Sequence, residues 1–220
     1  MRARALHDDI QNALDFLLEA ELALYTNAVS VTPTRLSWHD FGSLDRFLIG
    51  RSYTTVEQYL AWVRAGAYSA LLRDGSLLQL TYDVKDGVIA GHRLAYVPCP
   101  VVVDQELLRE GEPLADVVPL YLDAGAPGLT MRSPVRFDFD PAVARPGHPA
   151  AHFSINSADC RVACVAPVHP YRFIDFIFRH FYPAFRRVHE SWFEPAARRH
   201  LGSRVITDSD RNAVHLAWPV

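Results

Sequence analysis

Apolar residues in the first part of the chain recur every three or four positions. Leu6, Ile10, Leu14, Leu17, Leu18 and Leu24 fall at helical spacing, with Asp8 and Asp9 near the positive end of the helix dipole. The spacing predicts an amphipathic helix over about residues 4–26. Residues 30–36, with Val-Thr-Pro-Thr, read as extended or loop. Phe41, Leu44, Phe47 and Leu48 again repeat at three and four, although Gly42 weakens the pattern to a short or irregular helix. Thr55 opens a further helix. Its hydroxyl can cap, Gln58 three residues on completes a capping box, and Tyr59, Leu60, Val63, Ala67 and Leu71 continue the stripe.

From Leu77 the period changes to two. Leu78, Leu80, Tyr82 and Val84 alternate with Gln79, Thr81 and Asp83, and Lys85-Asp86-Gly87 is a hairpin turn. The return strand runs over 88–97, stopped by Pro98-Cys-Pro100. Beyond it come a strand-like Val101-Val102-Val103, a short helix around 105–109 and an expected strand over 117–122. Two more alternating stretches follow. Val135, Phe137 and Phe139 alternate with Arg136, Asp138 and Asp140, and Phe153 and Ile155 with His152, Ser154 and Asn156. Paired as a hairpin across 141–150, they put an apolar set on one face and Arg, Asp, His and Asn on the other. A last strand is expected over 160–165. Helices follow from Pro170, interrupted at Pro183, and the residues from Gly202 onward read as strand or loose tail.

Helices, then strands, then helices predict an α+β fold. The expected form is one domain over 1–220, a single antiparallel sheet with the N-terminal and C-terminal helices packed on one face.

Composition changes this picture little. The net charge of −3 gives no global pull toward nucleic acid or anionic membranes, so any such binding needs a local basic patch. Cys99, Cys160 and Cys164 form no Cys-x-x-Cys pair and read as isolated thiols. There is no secretory pattern at the start and no apolar run of membrane-spanning length, so a cytoplasmic setting without membrane contact is expected. Nucleotide-loop, dinucleotide-fold, zinc-finger and His-Glu-x-x-His signatures are all missing, and no nucleotide cofactor is implied.

Candidate chemistry concentrates on residues 136–161. His152 and His148 are placed for proton transfer, with Asp138 to orient a histidine and Asn156 beside them. Arg136 and Arg161 would hold a phosphate. His92, Arg93 and Asp140 would support this cluster from behind. His92 and Arg93 are neighbours on a strand and point to opposite faces; a hydrogen-bonded, structural His92 is the competing reading. A divalent metal held by His148, His152 and Asp138 or Asp140 is a further option, so the cofactor stays open. Set against all of this, a sheet face can be polar merely because it is solvated.

Several blocks are distinctive together: Phe41-Gly-Ser-Leu-Asp45, Asp74-Gly-Ser-Leu-Leu-Gln-Leu80, His92-Arg-Leu-Ala-Tyr-Val-Pro-Cys-Pro100 and Ser133-Pro-Val-Arg-Phe-Asp-Phe-Asp-Pro141. With His148-Pro-Ala-Ala-His152, Asn156, Cys160-Arg161 and Arg179-His-Phe-Tyr-Pro183, they resemble the bacterial family of unknown function number 2290, from about residue 35 to 190. That resemblance implies no activity. The Arg-x-Asp strand followed by a Pro- and His-rich turn is also similar to TumE-type toxins of toxin–antitoxin pairs, although Phe153 and Ser154 stand where a further histidine would follow. The expected function is an RNA-cleaving or related phosphodiester-acting enzyme, a toxin or defence effector. Its alternative is a non-catalytic binding or regulatory module, partnered by a protein encoded in the same operon.

Overall fold

The computed structural model of the chain describes residues 2–38, 55–123, 132–157 and 159–220. The irregular helix expected over 41–48 lies outside them. Helix α1 (Ala3–Glu19) buries Leu6, Ile10, Leu14 and Leu17. It ends earlier than its apolar spacing suggests, because Glu21 adopts φ 52° and the Glu21 and Leu22 amides turn back to the Leu18 and Leu17 carbonyls. Leu24 therefore belongs not to the helix but to strand β1 (Ala23–Thr26). Strands β2 (Ser30–Val31) and β3 (Arg35–Ser37) follow. Helix α2 (Val56–Arg64) carries the Thr55–Gln58 capping box in full.

Strands β4 (Ala70–Leu72), β5 (Leu77–Lys85) and β6 (Val88–Val97) come next. The β5–β6 hairpin turns through Asp86 at φ 52° and Gly87 at φ 73°, the two positive values that match a tight hairpin to the twist of its strands. Helices α3 (Gln105–Arg109) and α4 (Leu114–Asp123) follow. The strand expected over 117–122 is thus helical: Val117 and Val118 pack beside Leu114 against Tyr59 and Trp62 of α2, and packing overrides their β-branched preference. Strands β7 (Val135–Phe139) and β8 (Ala151–Ile155) form the second hairpin, and β9 (Val162–Cys164) extends it. The C-terminal helices are α5 (Pro170–Phe181), α6 (Pro183–Val188), α7 (Glu190–Ala196) and the short α8 (Asp208–Arg211), before a last strand β10 (His215–Leu216).

All ten strands of the described residues join one sheet in the order β1-β4-β5-β6-β7-β8-β9-β10, with β3 also pairing β5 and carrying β2. The fold is α+β, as the element order implies. Two points correct the expected form. The sheet is mixed, because β10 runs parallel to β9 after the chain has crossed over through the C-terminal helices. Helices also cover both faces. On one face α1, α5 and α7 bury Leu6, Leu14, Phe173, Ile177 and Phe193 against Leu80, Leu94 and Phe137. On the other, α2, α3 and α4 cover only the end where Leu71, Leu77, Ala95 and Val97 present an apolar surface. Burying each large side chain contributes about 1.5–3 kcal/mol, so an apolar patch on either face recruits a helix. Toward β7 and β8 that second face turns polar. This is where the chemistry collects.

Candidate functional site

Residues paired directly across a sheet project from the same face. The registers therefore align a polar row. Thr81 of β5 pairs with Arg93 of β6, Arg93 with Asp138 of β7, Asp138 with His152 of β8, and His152 with Ala163 of β9. Ser37 of β3 extends the row, its Oγ 3.4 Å from Thr81 Oγ1. A parallel row sets Gln79, Ala95, Arg136 and Ser154 side by side. This face is not a solvated one: Asp138 is 7% exposed and His152 3%. Polar groups so buried need partners.

Asp138 has them. Its Oδ2 accepts a 2.6 Å hydrogen bond from Arg136 Nε, and its Oδ1 one of 3.2 Å from Arg93 Nε. Two guanidiniums thus share one carboxylate. Arg93 is the outward arginine, with a side chain 37% exposed against 9% for Asp138.

His152 Nδ1 lies 3.0 Å from the Pro149 carbonyl oxygen. A carbonyl only accepts, so Nδ1 carries the ring proton, and in the neutral ring the Nε2 lone pair is left pointing toward Asp138, 3.5 Å from Oδ2. Burial pulls the His152 pKa below the ordinary histidine value, outweighing the opposing pull of the Asp138 charge. The ring is a neutral base held in one tautomer. His148 stands edge-on to it with ring centroids 5.1 Å apart, and its own pKa is lowered by partial burial and by the charges of Arg161 and Arg145. Ser154 Oγ is buried on the same face with no hydrogen-bond partner among the described residues.

Thus Arg93, Arg136, Asp138, His148 and His152 come together. Arg161, one residue before β9 and at the parity of Ala163, borders them; its Nη2 reaches Asp159 Oδ1 at 3.5 Å. Three other candidates lie elsewhere. Asn156 is exposed at φ 57° and its amide donates to the Pro134 carbonyl, so it closes the end of β8. Asp140 Oδ1 accepts from the Ala142 amide at 3.0 Å and caps the short 3-10 turn Pro141–Val143. His92 points to the opposite sheet face, where its Nε2 accepts from the Val168 amide at 2.8 Å, and full burial pulls its pKa down to about 4. It is a packed, neutral histidine. Among the described residues, no group of three or more His, Cys, Asp or Glu is placed to hold a metal ion.

A second polar cluster escaped the reading of the sequence. Tyr182 Oη donates to Asp74 Oδ2 at 2.9 Å and lies 3.0 Å from Tyr96 Oη, which is 3.3 Å from Ser76 Oγ. It joins the β4–β5 turn to the end of α5. The Asp74-Gly-Ser and Phe-Tyr-Pro blocks were its only signal. Gly75 in that turn has φ 83°, and a Cβ there would meet Cys99 Sγ at 3.1 Å.

The fold and these contacts define an α+β protein with a mixed sheet, one face of which carries a buried cluster of His152, Asp138, Arg93 and Arg136. The uncharacterized conserved protein family DUF2290 matches residues 23–218, and the chain belongs to that family. No curated protein matches it, and no solved structure does. No helix among the described residues is long and apolar enough to cross a membrane.

Proposed function

We propose that the protein is a phosphodiester-acting enzyme whose substrate is RNA, with His152 as general base. The observation that carries this reading is the His152 anchor: a buried imidazole bonded through Nδ1 to the Pro149 carbonyl, with Nε2 turned toward Asp138, the carboxylate that Arg93 and Arg136 hold. In this reading a substrate phosphate is held by Arg93 and Arg161, with Arg136 adding charge behind them. Asp138 keeps Arg93 and Arg136 side by side and orders the pair. His152 Nε2 takes the proton of the ribose 2′-hydroxyl, the 2′-oxygen attacks phosphorus, and the bond from phosphorus to the 5′-oxygen breaks. The leaving 5′-oxygen takes a proton from water beside His148, and the protonated His152 later gives its proton back to solvent. The products are a 2′,3′-cyclic phosphate and a 5′-hydroxyl. Positioned acid–base groups of this kind contribute roughly 10²–10⁴-fold to rate. The three cysteines are free thiols, in keeping with action in the cytoplasm as a toxin or defence effector.

The test is RNA cleavage by the wild type and by His152→Asn. Asparagine can still donate to the Pro149 carbonyl while the Nε2 lone pair is gone. Loss of cleavage with an unchanged melt supports the assignment, and full activity in the variant removes it.

A further inference from the structure

The polar row does not stop at His152. Ala163 pairs with His152 on one side and, in the parallel ladder, with His215 of β10 on the other. His215 therefore projects from the same sheet face as His152 and Asp138, across an alanine too small to separate them. Neighbouring strands lie about 4.8 Å apart, so His215 stands roughly 10 Å from His152. Its Nδ1 is turned back to the Ala213 carbonyl at 3.1 Å.

His215 borders an open cleft of about 590 Å³, lined also by Val165, Arg204, Arg211 and Trp218. Among the described residues no carboxylate lines this cleft. Arg204 makes no ion pair among the described residues, and Arg211 has only an exposed contact to Asp208 at 3.6 Å, a kind of pair worth little. A chain with net charge −3 thus concentrates two arginines and a histidine where the polar row ends, beside Trp218, one side of whose ring packs on the core with the Arg172 guanidinium 5.5 Å from its centroid. Cationic side chains that track a backbone, beside an aromatic ring on which a base can stack, are what a single nucleic-acid strand requires.

We infer that this cleft binds the nucleotides flanking the cleaved bond of a single-stranded RNA, with Arg204 and Arg211 on its phosphates and Trp218 against a base. The inference rests on the phosphodiester reading above and adds where the substrate strand runs: across β9 and over β10. It makes the C-terminal segment, which joins the sheet through a single parallel pairing, part of the substrate site.

The experiment measures binding of fluorescein-labelled oligouridylates, a dinucleotide and a dodecanucleotide, to His152→Asn protein, which keeps the strand uncut. The dodecanucleotide is expected to bind about tenfold tighter or more. Adding Arg204→Ala and Arg211→Ala should erase that gain and lower the slope of log affinity against log salt by about one for each arginine. Both residues are exposed, so the fold survives their removal. If the gain with length persists in the double arginine variant, the cleft is not the flanking site, while wild-type cleavage of RNA still upholds the catalytic reading. Competition by polyglutamate as effective as by the dodecanucleotide also overturns the inference. A wild type that cleaves no RNA of any length overturns the catalytic reading, and the inference falls with it.

Discussion

His152 and Asp138 face each other across β7 and β8, Nε2 to Oδ2 at 3.5 Å, yet no hydrogen bond joins them, because the ring spends its proton on the Pro149 carbonyl. A histidine donating to that carboxylate would be a structural strut. One that donates away from it keeps its Nε2 lone pair, the base of the proposed reaction.

Asp138 also accepts from two arginines on this face. Replacing it by Asn removes the countercharge without changing its shape, and should cost about 3–5 kcal/mol of stability in urea unfolding. Arg93→Gln breaks a pair whose arginine is partly exposed, and should cost about 1 kcal/mol or less. Equal losses in the two variants would show that the carboxylate does not hold the cluster together.

Acid should destabilise the protein through two histidines that take no part in the site. Burial pulls His92 down to about 4 and His169 down to about 3. His169 is satisfied in its neutral form, Nε2 donating to Asp9 and Nδ1 accepting from the Tyr171 amide. The unfolded chain takes up these protons near pH 6.5 and the folded chain does not. Stability is therefore full above about pH 6.5 and falls as pH drops toward 4, by on the order of 1 kcal/mol per pH unit for each group. Unfolding curves at neutral and acidic pH should show this slope, and His92→Gln with His169→Asn should flatten it.

The same logic has the opposite use at the site. Because His152 is held below its ordinary pKa, it stays a base in mild acid. The rate of RNA cleavage should keep its neutral-pH value through pH 6.5 and decline only below it. A decline already complete at pH 6.5 would mean that the base is an ordinary, exposed histidine.

Tyr182→Phe should cost about 1–2 kcal/mol, since it strips Asp74 and Tyr96 of a shared partner. Combined with Tyr96→Phe it should be non-additive, the second loss being smaller than the first. Strict additivity would dissolve the cluster into separate contacts.

The chain itself showed how far local pattern carries. The β5–β6 hairpin and the two faces of β7 and β8 were readable because turn chemistry and a period of two are local. Residues 117–122 were misread because a short apolar run has no distinctive period, and only its packing on Tyr59 and Trp62 decides its state. The parallel placement of β10 beside β9, and with it His215 in the row of His152, depends on a pairing some fifty residues apart in sequence. Asp74 meeting Tyr182 spans 108. Asn156 was grouped with the site by the period of two, and His92 as support behind it. Strand parity sends His92 to the other face, and a left-handed turn takes Asn156 off the end of β8.

The most direct measurement compares the initial rate of RNA cleavage by wild type and His152→Asn at neutral pH, alongside their thermal melts. The variant should cleave roughly 10²-fold or more slowly, within the range for one positioned acid–base group, with the melting temperature nearly unchanged. A variant as fast as the wild type, or a wild type that leaves RNA intact, contradicts the proposed reaction.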